Sequence, residues 1–233
     1  MQEGAHQMMG YDRTSTMFSP DGRLLQVEYA KEAVKQGSTA VGIVCKDGVV
    51  LIADKRVSDE LIHASSVEKI FQVDNHIGAT SVGYVMDGRV LIERAQVISQ
   101  QHMVTYSVPI ETTTLVKEIS DIKQSYTQYG GARPFGVSIL FAGMDEGGVL
   151  YVTEPTGTFF KYKATAVGEN SDAIKAILRK EYTEEISTDE GVKLAIKALK
   201  KVMGKDFVAD RIDGAIIDAA SKKFTRLDRK RLK

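Results

Sequence analysis

Tryptophan is absent from this sequence, cysteine occurs once, and prolines and histidines number four each among 233 residues. Charge of one sign is lacking too, because 31 Lys and Arg balance 31 Asp and Glu. That balance points away from partners captured by a strong field, such as nucleic acid or an acidic membrane. A single cysteine, Cys45, rules out a disulfide framework; it falls inside an apolar strand pattern and suits a reducing compartment. No apolar run approaches the roughly 20 residues of a membrane span, and the Met-rich lead is too polar for a secretory signal. A soluble, cytoplasmic protein is expected. His6, His63, His76 and His102 are scattered without ligand spacing, so no metal is expected. There is no phosphate-cradling glycine loop, nucleophile elbow or Cys–His pairing, and no cofactor is expected. The basic run from Arg226 to Lys233 reads as a solvated end.

What is present begins with Gly10 to Gly42. A polar lead reaches the turn Ser19-Pro20-Asp21-Gly22, in which Pro20 fixes φ and Asp21 is placed to cap a helix. Leu24, Val27, Ala30 and Val34 then recur at helical spacing, with Glu28, Lys31, Glu32 and Lys35 on the wetter side. Gly37 reads as the left-handed stop of this helix, which spans about 22–36. Residues 39–45 and 49–55 follow as strands, apolar almost throughout, flanking the hairpin signal Lys46-Asp47-Gly48. A second strand pair covers about 70–73 and 77–82. Asp87 is placed to cap a helix running to about His102, with Val90, Leu91, Ala95 and Ile98 inward. The next helix carries a stripe expected to be buried, Leu115, Ile119, Ile122, Tyr126 and Tyr129, and stops at Gly130-Gly131. Strands return at 136–143, around 149–155, and at 158–168. Asn170 or Ser171 opens a helix with Ile174, Ile177 and Leu178 inward. Ser187 and Glu190 form a capping box for a final helix ending near Gly204. Residues 212–218 and 222–227 are the last strands. No linker rich in Pro, Gly or Ser interrupts this order, which reads as one domain of two packed sheets with helices outside both.

The strings YDR (11–13), FSPDGRL (18–24), QVEYA (26–30), EAVK (32–35) and GST (37–39) resemble the amino-terminal signature of 20S proteasome α-subunits, of the archaeal type. DGVVLIADKR (47–56), SVEKIFQVD (66–74) and YTQYGGARPFGVSILFAG (126–143) look like the same family. The resemblance implies an α+β fold, the four-layer αββα sandwich of N-terminal nucleophile hydrolases, with an extra N-terminal helix. It also divides the chain into a mobile gate segment, 1–12, and one domain, 13–233.

The function implied is that of a non-catalytic α-ring subunit. Such a subunit forms a homo-heptamer, stacks on proteolytic β-subunit rings, gates the entry of unfolded substrates, and docks an ATP-dependent activator by its C-terminal motif. Degradation would then be ubiquitin-independent or unfoldase-coupled. Carried over by position, Tyr11, Asp12, Arg13, Pro20 and Tyr29 belong to the gate. Lys69, Gly22, Leu24, Glu28 and Gly37 belong to a pocket that captures the activator's terminal carboxylate, which an ammonium receives by a charge-assisted hydrogen bond. Tyr129, Gly130, Gly131 and Arg133 resemble the turn that narrows the channel. The competing reading is an N-terminal nucleophile hydrolase released by cleavage at Gly37-Ser38, with Asp54 and Lys69 near the acidic and lysine positions of that site. It requires a free amine on Ser38. A well-formed helix ahead of the bond argues against a disposable pro-segment.

Overall fold

The computed structural model describes residues 10–57, 61–63 and 66–232. Its first helix, α1 (Leu25–Lys35), precedes a hairpin of β1 (Ala40–Cys45) and β2 (Gly48–Asp54). A second hairpin, β3 (Ile70–Asp74) and β4 (Ile77–Gly83), leads into α2 (Val85–Tyr106) and α3 (Thr112–Tyr126). Then come β5 (Val137–Met144), β6 (Gly148–Thr153), β7 (Phe159–Lys161) and β8 (Ala164–Val167). Helices α4 (Ser171–Glu181) and α5 (Thr188–Met203) precede β9 (Ile212–Asp218) and β10 (Phe224–Arg226).

Two antiparallel five-stranded sheets result, ordered β10-β9-β2-β1-β8 and β3-β4-β5-β6-β7. Strand alternation sends each residue to one of two cores. On the first sheet, Val41, Ile43, Val50 and Ile52 face α4 and α5, where they meet Ile174, Leu178, Ala195 and Leu199. On the second, Ala79, Val137, Ile139 and Phe141 meet Leu91, Leu115 and Ile119 of α2 and α3. Between the sheets, Ala40, Val49, Leu51 and Ala53 pack on Ile70, Leu140, Leu150 and Val152. A strand buried on both faces is apolar along its length: all seven residues of β2 are buried, and all but its last, Asp54, are apolar. The architecture is the expected αββα sandwich. Among the described residues, no helix is long and apolar enough to cross a membrane.

Local details depart from the sequence reading. Helix α1 starts later than expected, and its inward residue is Leu25, while Leu24 is the N-cap and only half-buried. Asp21 is not the N-cap: Leu24 holds that position, and its side chain makes no cap hydrogen bond. Instead Ser19 closes the turn, accepting the Arg23 N–H on its hydroxyl at 3.2 Å and the Gly22 N–H on its carbonyl at 2.8 Å. Gly22 adopts the left-handed φ of 73° that this turn demands. Gly37 is not a left-handed stop; Gln36 ends the helix in right-handed conformation. Glycine is needed there for close approach, because a Cβ would sit 2.5 Å from the Gly83 nitrogen.

Asp87 lies inside the first turn of α2, buried, rather than at its cap, and Val90 is exposed. In α3 the stripe ends early. Tyr126 and Tyr129 are exposed, and the fully buried side chain of the last turn is Lys123. Its ammonium donates to the Thr153 carbonyl at 3.0 Å and hydroxyl at 2.8 Å. Burial holds its pKa well below the ordinary lysine value, with Glu154 opposing. The capping box of α5 is present as read, with Ser187 and Glu190 bonded reciprocally. The basic tail is not a loose end: Leu227 and Leu232 are buried against the first sheet's outer core. Arg226 bonds the Ile70 carbonyl at 2.9 Å and pairs with Glu68 at 3.1 Å.

Candidate functional site

Helix α1 lies across the ends of β4 and β5, and Val34 of its last turn closes the core between the sheets. Beyond it the chain enters β1 through Gly37, Ser38 and Thr39. Gly37 is held between two other glycines. Its missing Cβ gives room to the Gly83 backbone, and a Cβ on Gly168 would lie 2.7 Å from the Gly37 carbonyl oxygen. That carbonyl accepts the Glu169 N–H at 2.8 Å, and the Thr39 hydroxyl donates to the Glu169 carbonyl at 2.6 Å. The Gly37–Ser38 peptide is therefore fixed on both sides by backbone.

Asp54 closes β2 beside this point and is almost wholly buried. Its carboxylate accepts from Arg211 twice, Nε to Oδ1 at 3.1 Å and Nη2 to Oδ2 at 2.8 Å, and from the Arg56 N–H at 3.0 Å. Arg56 donates to the Gln36 carbonyl at 3.0 Å and pairs with Glu169, so it ties the end of α1 to the loop after β8. Lys69 stands just before β3, its backbone N–H donating to Asp213 at 3.3 Å. Burial pushes its pKa down to about 8; Asp54 pulls it up and Arg56 pushes it further down. Its ammonium has no hydrogen-bond acceptor among the described residues. An ammonium kept partly out of water and unpaired can form a charge-assisted hydrogen bond with a carboxylate.

The sequence reading placed Lys69 with Gly22, Leu24, Glu28 and Gly37. Lys69 feels the charges of Asp54 and Arg56, and Arg56 donates to the carbonyl of Gln36, the residue before Gly37, which places Lys69 near the C-terminal end of α1. Gly22, Leu24 and Glu28 lie at the other end of α1, and a helix of 11 residues spans roughly 16 Å. Glu28 is engaged there by Lys31 at 3.3 Å and Arg23 at 3.6 Å. Within one chain the five residues form two groups, one at each end of α1.

The lead is seated on the exposed side of α1. Gly10 turns with φ of 76°, accepting the Arg13 N–H at 3.1 Å. Gln26 donates to the Asp12 carbonyl at 2.6 Å, and the Tyr29 hydroxyl donates to the Asp12 carboxylate at 3.4 Å. Asp12 and Tyr29 are thus brought together, while Pro20 sits exposed at the tip of the following turn. Residues 1–9 of the expected gate segment lie outside the described residues. Ser15 donates to the Tyr129 carbonyl at 3.3 Å, linking the lead to the Tyr129-Gly130-Gly131 turn. Arg133 anchors that turn. It donates to both Asp87 oxygens, at 2.6 and 2.7 Å, and lies 5.2 Å from the Tyr84 ring centre. Burial pushes Asp87 up, but Arg133 and the Gly136 N–H outweigh it and hold the carboxyl below its usual value.

Arg56, Arg211, Glu169 and the Asp87–Arg133 pair escaped the sequence reading as partners. Their separations of 113, 157 and 46 residues leave no local pattern, and only the positions of Arg56 and Asp54 at one strand end hinted at a shared site. Two of the scattered histidines have structural partners: His76 meets the Ile110 carbonyl at 2.9 Å and His102 the Val108 carbonyl at 3.1 Å.

Comparison with known proteins covers nearly all of this frame. Residues 11–33 match the family model of the N-terminal signature of A-type proteasome subunits, and residues 34–217 match the general proteasome-subunit model. The chain is 49% identical over 218 residues to a proteasome alpha subunit of Thermococcus sibiricus, covering 94% of this chain and 84% of that one. A proteasome alpha subunit of Archaeoglobus fulgidus is 48% identical over 225 residues, covering 97% and 92%. That of Methanocaldococcus jannaschii is 49% identical over 218 residues, covering 93% and 83%.

Proposed function

The chain belongs to the proteasome α-subunit family, and from that membership we propose that it is a non-catalytic subunit of a heptameric ring that stacks on proteolytic β-rings. In this reading the lead and Tyr11, Asp12, Arg13, Pro20 and Tyr29 gate the axial entry, and Lys69 receives the terminal carboxylate of an ATP-dependent activator. The observation that carries it is the Gly37–Ser38 peptide, clamped by Gly83, Gly168 and Glu169 behind a covering helix. A nitrogen held in amide linkage has no basicity to activate the Ser38 hydroxyl. Two neighbours of Ser38 are engaged elsewhere, Asp54 by Arg211 and the Thr39 hydroxyl by the Glu169 carbonyl, and Lys69 does not replace the missing amine. Fold alone does not confer the chemistry.

The separation of Lys69 and Gly37 from Gly22, Leu24 and Glu28 supports a pocket completed across a subunit boundary, the Lys69 end of one copy facing the Gly22 end of the next. Tyr129, Gly130 and Gly131, held by Arg133, line the channel beneath the gate. The test is Lys69→Ala in the core assembled with its β partner. Activator-stimulated peptide hydrolysis should be lost while basal hydrolysis and ring assembly persist. Undiminished stimulation would remove Lys69 from the pocket.

A further inference from the structure

A groove of about 800 Å³ runs along the outer face of α5, apart from the site described above. Val192 and Ile196 form its apolar floor, and Lys193, Lys197, Lys200 and Lys201 of α5 line it. The C-terminal turn adds Lys230 and Arg231, brought there because Leu232 is anchored in the core. Asp189 is the one acid in the lining, and Arg231 pairs with it; Lys197 pairs with Glu181 at 2.7 Å. Lys193, Lys200, Lys201 and Lys230 have no ion-pair partner among the described residues. Glu190, next along the helix, is engaged in the capping box.

Helix stability does not ask for this arrangement. The helix dipole favours Lys200 and Lys201 in the last turn, but not Lys193 near the start. Lys193–Lys197 and Lys197–Lys201 are like-charge pairs at i,i+4, which destabilise a helix. In a chain whose total charge is balanced, six cations gathered over an apolar floor, four of them without an ion-pair partner among the described residues, amount to a surface with cationic charge to spare.

We propose that this groove docks an acidic segment of a partner protein, its Asp and Glu side chains meeting the unpaired lysines and its apolar residues resting on Val192 and Ile196. From Lys193 to Lys201 the row spans roughly 12 Å, the length of about two helical turns or four extended residues. That is short for tracking a nucleic-acid backbone. The lining offers no aromatic ring for base stacking, and its one guanidinium is already paired.

The test is fluorescence anisotropy with the assembled ring and a fluorescein-labelled peptide of mixed Glu, Asp and Leu. Binding should be present at low salt and weaken as salt rises. The Lys193→Glu/Lys201→Glu variant should bind at least about tenfold more weakly, while a Lys117→Glu/Lys223→Glu variant, altered at exposed lysines elsewhere, binds as the parent does. Should charge reversal prevent assembly, Lys201→Gln/Lys230→Gln carries the same expectation with a smaller loss. No binding, equal loss in both charge-reversed variants, or tighter binding of oligothymidylate of equal charge would overturn the proposal.

Discussion

Two lysines show how burial and pairing set the role of a residue. Lys69 is half-buried with its ammonium unpaired among the described residues, and its pKa of about 8 is set mainly by burial. A bound carboxylate favours the charged form and raises that value, so the protonated state is linked to binding. If Lys69 receives the activator's terminal carboxylate as proposed, affinity for a peptide with that free carboxylate should be full below pH 8 and fall as the pH rises beyond it, by up to about tenfold per pH unit. The amide-capped peptide should show no such dependence, and titration of the two side by side checks this. Lys123 is the opposite case, wholly buried with both of its acceptors on Thr153. Its folded-state pKa is depressed, so the folded chain binds fewer protons than the unfolded one below the unfolded value of about 10.4. Stability from this group therefore rises with pH up to that value and is lost as the pH falls toward the depressed one. Lys123→Met should shrink the difference in Tm between pH 9 and pH 7, and an unchanged difference would contradict the assignment. Sequence reading missed Lys123 because a helical stripe of apolar residues gives no sign that a lysine will replace its last member.

At the scale of elements, α1 and its exit are the joint on which the site depends. Much of this was legible. The stripe of Val27, Ala30 and Val34, the Ser187–Glu190 capping box and the hairpin between β1 and β2 all follow from local spacing and cap chemistry. The misread features are tertiary. Gly37 serves close packing against Gly83, which lies 46 residues further along, and Asp87 serves Arg133 rather than its own helix. No residue took the capping role expected of Asp21; Ser19 instead closes the turn ahead of the helix, its hydroxyl reaching the Arg23 N–H. The close contact gives a direct prediction. Gly37→Ala places a methyl against backbone that has no flexible end to move, an overpacking cost of about 2–3 kcal/mol. For a chain of this size that lowers Tm by roughly 5–10 °C, readable by calorimetry; a loss below about 1 °C would mean that the glycine contact is loose.

Taken whole, the molecule is an αββα sandwich whose open end is closed by α1 and whose lead is pinned to that helix through Asp12, Gln26 and Tyr29. The two-sheet order was legible from strand and helix alternation, and the layering came from the family resemblance. The pairing of distant charges around Asp54 and Asp87 was not legible, since it arises only when β2 pairs with β9 and when α2 packs beside the loop that enters β5. If the lead gates the ring, removing residues 1–12 should raise basal peptide hydrolysis by the assembled core several-fold without activator, and an unchanged rate would exclude a gate. The central claim is that the Gly37–Ser38 bond stays intact and the chain works as ring and doorway. Intact-mass spectrometry of the chain released from the assembled, proteolytically active core tests it most directly. The account predicts one species with Ser38 internal; a species beginning at Ser38 would contradict it.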